Sequence, residues 1–397
     1  MKHFILTLIL AIAALSGQAQ VKCHIEGKLS NTEFGNTVII CATDVDIRTS
    51  NNYITTKADN NGHFACDVES NQIALYDVSL KEERDQGSWR FVNFLVENNA
   101  TVTLNFNGDS WQVINGGEEQ TKKIKMDAEK ERLFRAKMEA IQKQREEELR
   151  PRAEELTKQG KNPTDDTLLV KRSKELEAEY NILYNEFKAW EIDYYTKNPM
   201  LYPLYDIANV MQFSNDIPQF DEIKTQNMHL YHSIYENYKP ENPIHNTIKM
   251  LEAAWKLTPG KPYIDFEVET VDGKRINIEP LYRGKVAVID FWASWCGPCR
   301  RHSIDLIPIY EKYKDKGFTV IGIAHEEKLS DMTRAIAKDG YPWQNYIDLN
   351  DKLKVWLKNG LGLGGGGMYL VDNNGIILSS STNVDELEPL IRKALGL

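Results

Sequence analysis

The sequence predicts a multidomain chain: an all-β, sandwich-like domain at 20–115, a helical region at 116–257 and an α/β domain at 258–397, behind an export signal at 1–19. Three observations predict it. β-branched and aromatic runs alternate with turn residues as far as Asn115, apolar residues then recur at helical spacing to Leu257, and beyond Pro259 buried-strand runs alternate with amphipathic stretches. At 397 residues the chain is too long for one compact domain. Its 42% apolar and 27% charged residues are those of globular protein, and 48 basic against 58 acidic residues argue against a dedicated nucleic-acid binder. Five cysteines are too few for a disulfide scaffold, so their chemistry is local.

Each part rests on its own pattern. Lys2 and His3 precede an apolar run, Phe4 to Leu15, and then Ser16, Gly17 and Ala19, the pattern of a signal peptide cut after Ala19. The run is shorter than the roughly 20 residues that span a bilayer, so no membrane insertion is expected after cleavage. Cys23 follows Val21 and Lys22, which is no lipid-attachment pattern. Strands are predicted at 37–42, 53–57, 64–68, 73–80, 91–96 and 101–106, with Asp59, Asn60, Asn61 and Gly62 as a hairpin turn. From Glu118 the charges are mixed in sign, with Leu133, Met138 and Ile141 at helical spacing, which reads as a solvated helix face with no nucleic-acid or membrane role. The break at Gly160, Lys161, Asn162 and Pro163, followed by cap candidates Thr164 and Asp165, predicts a long helical hairpin, and the Tyr-rich segment after Pro199 reads as packing. In the last part, strands are predicted at 286–292, 318–324, 368–371 and 376–379, and helices at 299–314, 329–339 and 384–395. Asp372, Asn373, Asn374 and Gly375 form a second hairpin turn.

Chemistry concentrates at Trp295, Cys296, Gly297, Pro298 and Cys299. A buried strand delivers Cys296 to the start of a helix, whose unpaired amides and dipole favour a thiolate. Pro298 fits the first helical turn, where a missing N–H costs nothing. Attack by Cys296 on a substrate disulfide gives a mixed disulfide, which Cys299 resolves at a spacing that permits an intramolecular bridge. Asp290, six residues earlier in a Val/Ile strand, is a desolvated carboxylate able to exchange a proton with Cys299.

The run from Val288 through Asp290, Trp292, Trp295, Cys296, Gly297, Pro298 and Cys299 to Arg300 resembles the signature of the thioredoxin superfamily. Gly260, Lys261 and Pro262, then Asp272, Gly273 and Lys274, then Gly284 and Lys285, resemble specifically the TlpA/ResA-like thiol-disulfide oxidoreductases. The resemblance covers the last third of the chain. It implies a thioredoxin-like fold, catalytic Cys296 and Cys299 with Asp290 assisting the resolving thiol, and a substrate surface at Trp295, Gly297, Pro298, Gly366 and Gly367. It also implies a periplasmic enzyme with no cofactor beyond its own disulfide, disulfide-bearing exported proteins as partners, and a membrane thiol-electron donor. Gly297 and Pro298 resemble the dipeptide of reducing thioredoxins, which favours a reductase. The first two thirds resemble regions that precede such modules and carry no activity with them.

Two departures stand beside the match. The family's cis-proline position falls near Gly366, inside the run Gly364 to Gly367, and no proline is there. His302, Ser303 and Ile304 replace an acidic residue and a helix-kinking proline, with Pro308 one turn later. Among Cys23, Cys41 and Cys66 either one disulfide with an odd thiol or buried packing thiols is expected, and no metal site, since His63 and Cys66 point to opposite faces of a strand. The rival reading is a binding or adaptor protein whose redox module is auxiliary or inactive.

Overall fold

The computed structural model describes residues 21–43, 52–86, 90–212, 218–361 and 366–397. The predicted signal peptide, and Gly364 and Gly365 of the glycine run, lie outside them. The described residues form two compact units, one reaching Asp206 and including His229–Asn242, the other formed by Ile207–Met228 and Pro243–Leu397.

The first unit opens with β1 (Val21–Leu29), β2 (Thr37–Ala42), β3 (Ile54–Lys57), β4 (His63–Ser70), β5 (Ala74–Leu80), the short α1 (Lys81–Asp85), β6 (Val92–Val96), β7 (Ala100–Phe106) and β8 (Trp111–Asn115). They make two four-stranded sheets, ordered β4-β1-β7-β8 and β3-β2-β5-β6. Ile25, Val68, Val102 and Leu104 of one and Val38, Ile40, Val78 and Phe94 of the other share one core. β1, absent from the sequence prediction, is central: it pairs antiparallel with β4 and parallel with β7. Its buried Val21, Cys23 and Ile25 alternate with exposed Lys22, His24 and Glu26, the signature of a half-buried strand. The Asp59 turn forms, with Asp59 Oδ1 accepting the N–H groups of Asn61 and His63 at 2.8 Å. The strands it joins nevertheless lie in different sheets, so the predicted hairpin is a crossing between them. Neither Cys23 nor Cys66 is in a disulfide, and the Cys41 thiol donates to the Ala42 carbonyl at 3.4 Å.

Helices follow: α2 (Glu118–Lys130), a π-helical turn at Glu131–Arg135, α3 (Ala136–Lys158), α4 (Thr167–Lys197), α5 (Tyr202–Met211), α6 (Pro218–Leu230) and α7 (Ile244–Lys256). Glu97 accepts the N–H groups of Glu119 and Gln120, starting α2 without a side-chain cap of its own. Phe134, Leu183 and Phe187 make a small core with Leu133, Met138 and Ile141 between α3 and α4, and Asp166, one residue past the expected cap, accepts the Leu169 N–H at 2.9 Å. Among the described residues no helix is long and apolar enough to cross a membrane.

The second unit continues with β9 (Glu267–Glu269), β10 (Arg275–Asn277), α8 (Glu279–Tyr282), β11 (Val286–Trp292), α9 (Gly297–Tyr313), β12 (Phe318–Glu326), α10 (Leu329–Asp339), β13 (Asn345–Leu349), α11 (Val355–Lys358), β14 (Met368–Val371), β15 (Ile377–Ser379) and α12 (Val384–Ala394). One seven-stranded sheet is ordered β10-β9-β13-β12-β11-β14-β15. All seven residues of β11 are buried between parallel β12 and antiparallel β14, as expected of a continuous apolar run covered on both faces. α7, which the sequence places in the helical region, belongs to this unit. Gly360, at φ +69°, lets the chain after α11 lie on it, since a Cβ there would sit 2.6 Å from the Ala254 main chain.

Candidate active site

β11 ends at Trp292, and four residues later Cys296 is the N-cap of α9, with extended backbone at φ −85° and ψ 94°. Pro298 sits in the first turn, where no helical partner for its nitrogen exists. Cys296 and Cys299 are joined by a disulfide with Cα atoms 5.3 Å apart, and each residue is only 7% exposed. Each sulfur faces one main-chain donor. Cys296 Sγ accepts the Cys299 N–H at 3.3 Å, and Cys299 Sγ accepts the Gly366 N–H at 3.3 Å. The loop carrying Gly366 is tied to the strand end by the Phe291 N–H, which donates to the Gly367 carbonyl at 2.9 Å.

Asp290 lies on β11 and is 1% exposed. Burial raises its pKa to about 7, opposed by the Ser303 hydroxyl that hydrogen-bonds to it. Ser303 Oγ is 2.6 Å from Asp290 Oδ2 and 3.1 Å from the Cys299 carbonyl oxygen. With one proton to give, Ser303 donates to an ionised Asp290 or, when Asp290 is protonated, accepts from it and donates to Cys299 O. The acid is thus linked to the main chain of the second cysteine. Four residues beyond Cys299, Ser303 lies on the same helix face, so this partner was legible from i, i+4 spacing.

Other partners come from distant parts of the chain. Ser294 Oγ donates to Glu326 Oε2 at 2.9 Å and its N–H to the other oxygen, holding the turn before Cys296; burial raises the Glu326 pKa. Arg300 makes two 2.6 Å bonds to Asp339, which keep that carboxylate below its ordinary range, and Tyr341 OH donates to the same group at 3.1 Å. Trp295 is 57% exposed, and its ring lies 5.9 Å from that of buried Trp356, with His325 on Trp356 at 4.8 Å. Gly297 and Pro298 are exposed beside the disulfide. The structure therefore gathers Asp290, Trp295, Cys296, Gly297, Pro298, Cys299, Gly366 and Gly367 at one end of β11.

Asn350, Asp351 and Lys354, all at φ between 54° and 56°, shape the turn that delivers Trp356. Asp348 holds it, accepting the N–H groups of Leu353 and Val355 at 2.9 Å each. Among the described residues His325, Asp348 and Asp351 are the one group whose metal-ligating atoms lie within 4.8 Å of one another. Both Asp348 oxygens are engaged by main-chain donors and Lys354 pairs with Asp351 at 2.5 Å, so the turn accounts for the cluster.

Comparison with known proteins bears on the C-terminal part of the chain. Residues 259–380 match the AhpC/TSA family model. The chain is 30% identical over 98 residues to thiol-disulfide oxidoreductase ResA of Bacillus thuringiensis (strain Al Hakam), covering 25% of this chain and 56% of that protein. It is 30% identical over 93 residues to thiol:disulfide interchange protein DsbE of Pseudomonas fluorescens biotype C, covering 23% and 49%. The chain thus spans about half the length of these curated relatives. Among solved structures, the thioredoxin domain of a thiol-disulfide oxidoreductase from Bacteroides vulgatus is similar at 27% identity and a TM-score of 0.32, over 35% of this chain and 99% of that one.

Proposed function

We propose, on the premise that the C-terminal part of the chain is a thioredoxin-like domain, that this protein is an exported thiol-disulfide oxidoreductase that reduces protein disulfides through Cys296 and Cys299. The observation that carries the reading is the disulfide at the start of α9, with a main-chain donor on each sulfur and a buried acid linked to the second cysteine. In the reduced enzyme the Cys296 thiolate attacks a substrate disulfide. One S–S bond breaks, its electron pair leaves on the departing substrate sulfur, and a Cys296–substrate disulfide forms. The Cys299 thiolate then attacks Cys296 Sγ and releases the second substrate thiolate. The substrate gains two electrons and the pair returns to its disulfide. Asp290 takes the Cys299 proton, a role suited to a carboxyl whose pKa burial brings to about 7. Trp295, Gly297, Pro298, Gly366 and Gly367 form the surface that a substrate chain meets. The pair itself supplies the redox chemistry, no further cofactor is needed, and a membrane thiol-electron donor restores the dithiol.

Equilibrating the purified protein in glutathione buffers tests this reading. A reversible couple near about −270 mV is expected of a donor-fed reductase, and a value near about −120 mV reverses the direction to an oxidant. Absence of any reversible couple sinks the reading. Cys299→Ser should then accumulate a mixed disulfide on Cys296 that Cys296→Ser does not form.

A further inference from the structure

We propose that the main-chain N–H of Gly366 is a catalytic group of this site, stabilising the Cys299 sulfur as a thiolate whenever the Cys296–Cys299 bond is open. The proposal rests on the redox reading above and adds a group to it. Cys299 is shielded from solvent, so water does little for a charge on its sulfur, and the Gly366 amide 3.3 Å away is a donor already in place. That amide is held from its C-terminal side. Phe291 N–H binds the Gly367 carbonyl at 2.9 Å, and the next residue, Met368, opens β14 opposite Asp290. The approach requires glycine: a Cβ at position 366 would lie 1.8 Å from the Phe291 carbonyl oxygen and 3.2 Å from Cys299 Sγ. Every other residue would push the amide away from the sulfur.

A hydrogen bond to an ionised acceptor is shorter and roughly twice as strong as one to a neutral acceptor. The same N–H therefore favours the open, ionised state over the disulfide. In the resolving step, Cys299 attacks Cys296 Sγ, the Cys296–substrate bond breaks and its electron pair leaves on the substrate sulfur. The donor enlarges the thiolate fraction that attacks. In the reverse direction it makes Cys299 the better leaving group, so the pair is more easily reduced than it would be without the amide.

Two substitutions separate the N–H from the space it occupies. Gly366→Ala and Gly366→Pro both add a Cβ, but only proline removes the hydrogen. Both variants should be harder to reduce than wild type, the proline variant by about tenfold in the glutathione equilibrium, which is about 30 mV more negative, and the alanine variant, whose displaced amide still carries its hydrogen, by less. A proline variant with the wild-type constant overturns the proposal. Because either variant can displace the loop, the unsubstituted chain supplies a second measurement. With 15N-glycine labelling, the Gly366 amide proton should move downfield on reduction, and a resonance that stays put overturns the proposal as well. If the wild-type pair has no reversible couple, the redox reading itself fails; a reversible couple with an insensitive Gly366 amide refutes only the role of the amide.

Discussion

Replacing Asp290 with asparagine tests whether the chain keeps a proton beneath its disulfide. The carboxyl is buried, with the Ser303 hydroxyl as its hydrogen-bond partner, and its pKa rises from an ordinary 3.8 to about 7. At about 1.4 kcal/mol per pKa unit, that rise corresponds to about 4 kcal/mol of folding free energy. The direction follows from which state holds the proton. Well below pH 3.8 Asp290 is protonated in both the folded and unfolded chain and contributes nothing. Between pH 4 and 7 only the unfolded chain ionises, so stability falls as pH rises, and above pH 7 the loss is complete. Asparagine does not titrate and still offers Ser303 an oxygen. Asp290→Asn should therefore be more stable than wild type at pH 8, by up to about 4 kcal/mol, and this advantage should shrink to under about 1 kcal/mol at pH 4. The assay is urea unfolding with the disulfide intact, read by hydrogen exchange in peptides spanning Val286–Trp292, at half-unit steps of pH. Parallel wild-type and variant curves from pH 4 to 8 would refute the reasoning.

Two further substitutions probe the groups that support the site. Ser303→Ala removes the donor to the ionised carboxylate, so the pH midpoint of the Asp290 side-chain carbon resonance should rise by about one unit, with Ser303→Thr restoring it; an unmoved midpoint rules out the link. Asp348→Ala leaves the Leu353 and Val355 N–H groups without their acceptor and should destabilise the second unit by about 2–4 kcal/mol. Faster exchange at 350–356 and altered Trp295 fluorescence should accompany it, because the freed turn carries Trp356, and unchanged exchange there would show that the carboxylate is not what holds the turn.

The limits of sequence reading are clearest where one tetrapeptide occurs twice. Asp-Asn-Asn-Gly appears at Asp59–Gly62 and at Asp372–Gly375, and both copies fold alike: the Asp side chain accepts two N–H groups ahead of it and the Gly takes positive φ. The second joins β14 to β15 as a paired hairpin, whereas the first joins strands of different sheets. Turn chemistry specifies where a chain reverses. It does not specify which ladder the next strand enters, because that depends on β2, which recruits β3, and on β1, which recruits β4. For the same reason β11, α9, β12 and α10 were legible from local periodicity. β13 was not, since Asn345 and Asp348 interrupt its apolar run and are buried only because Trp292 and the turn before α11 bind them.

The site divides along the same line. Cys296, Pro298 and Cys299 announce a helix start within five residues, and Asp290 stands out as an acid in an apolar strand, so the reacting atoms can be read from one short segment. What tunes those atoms arrives from elsewhere. Glu326 reaches Ser294 from the end of β12, Trp356 reaches Trp295 from beyond β13, and Gly366 reaches Cys299 across 67 positions of sequence. Read locally, a run of four glycines signals flexibility. Against the end of β11 its consequence is close approach, because the missing side chain lets an amide come within hydrogen-bonding distance of a buried sulfur. Position 366 is thus a place where the expected proline would bring no N–H at all, and a change that looks like a loss of constraint in the sequence gives the resolving thiol a donor in the fold.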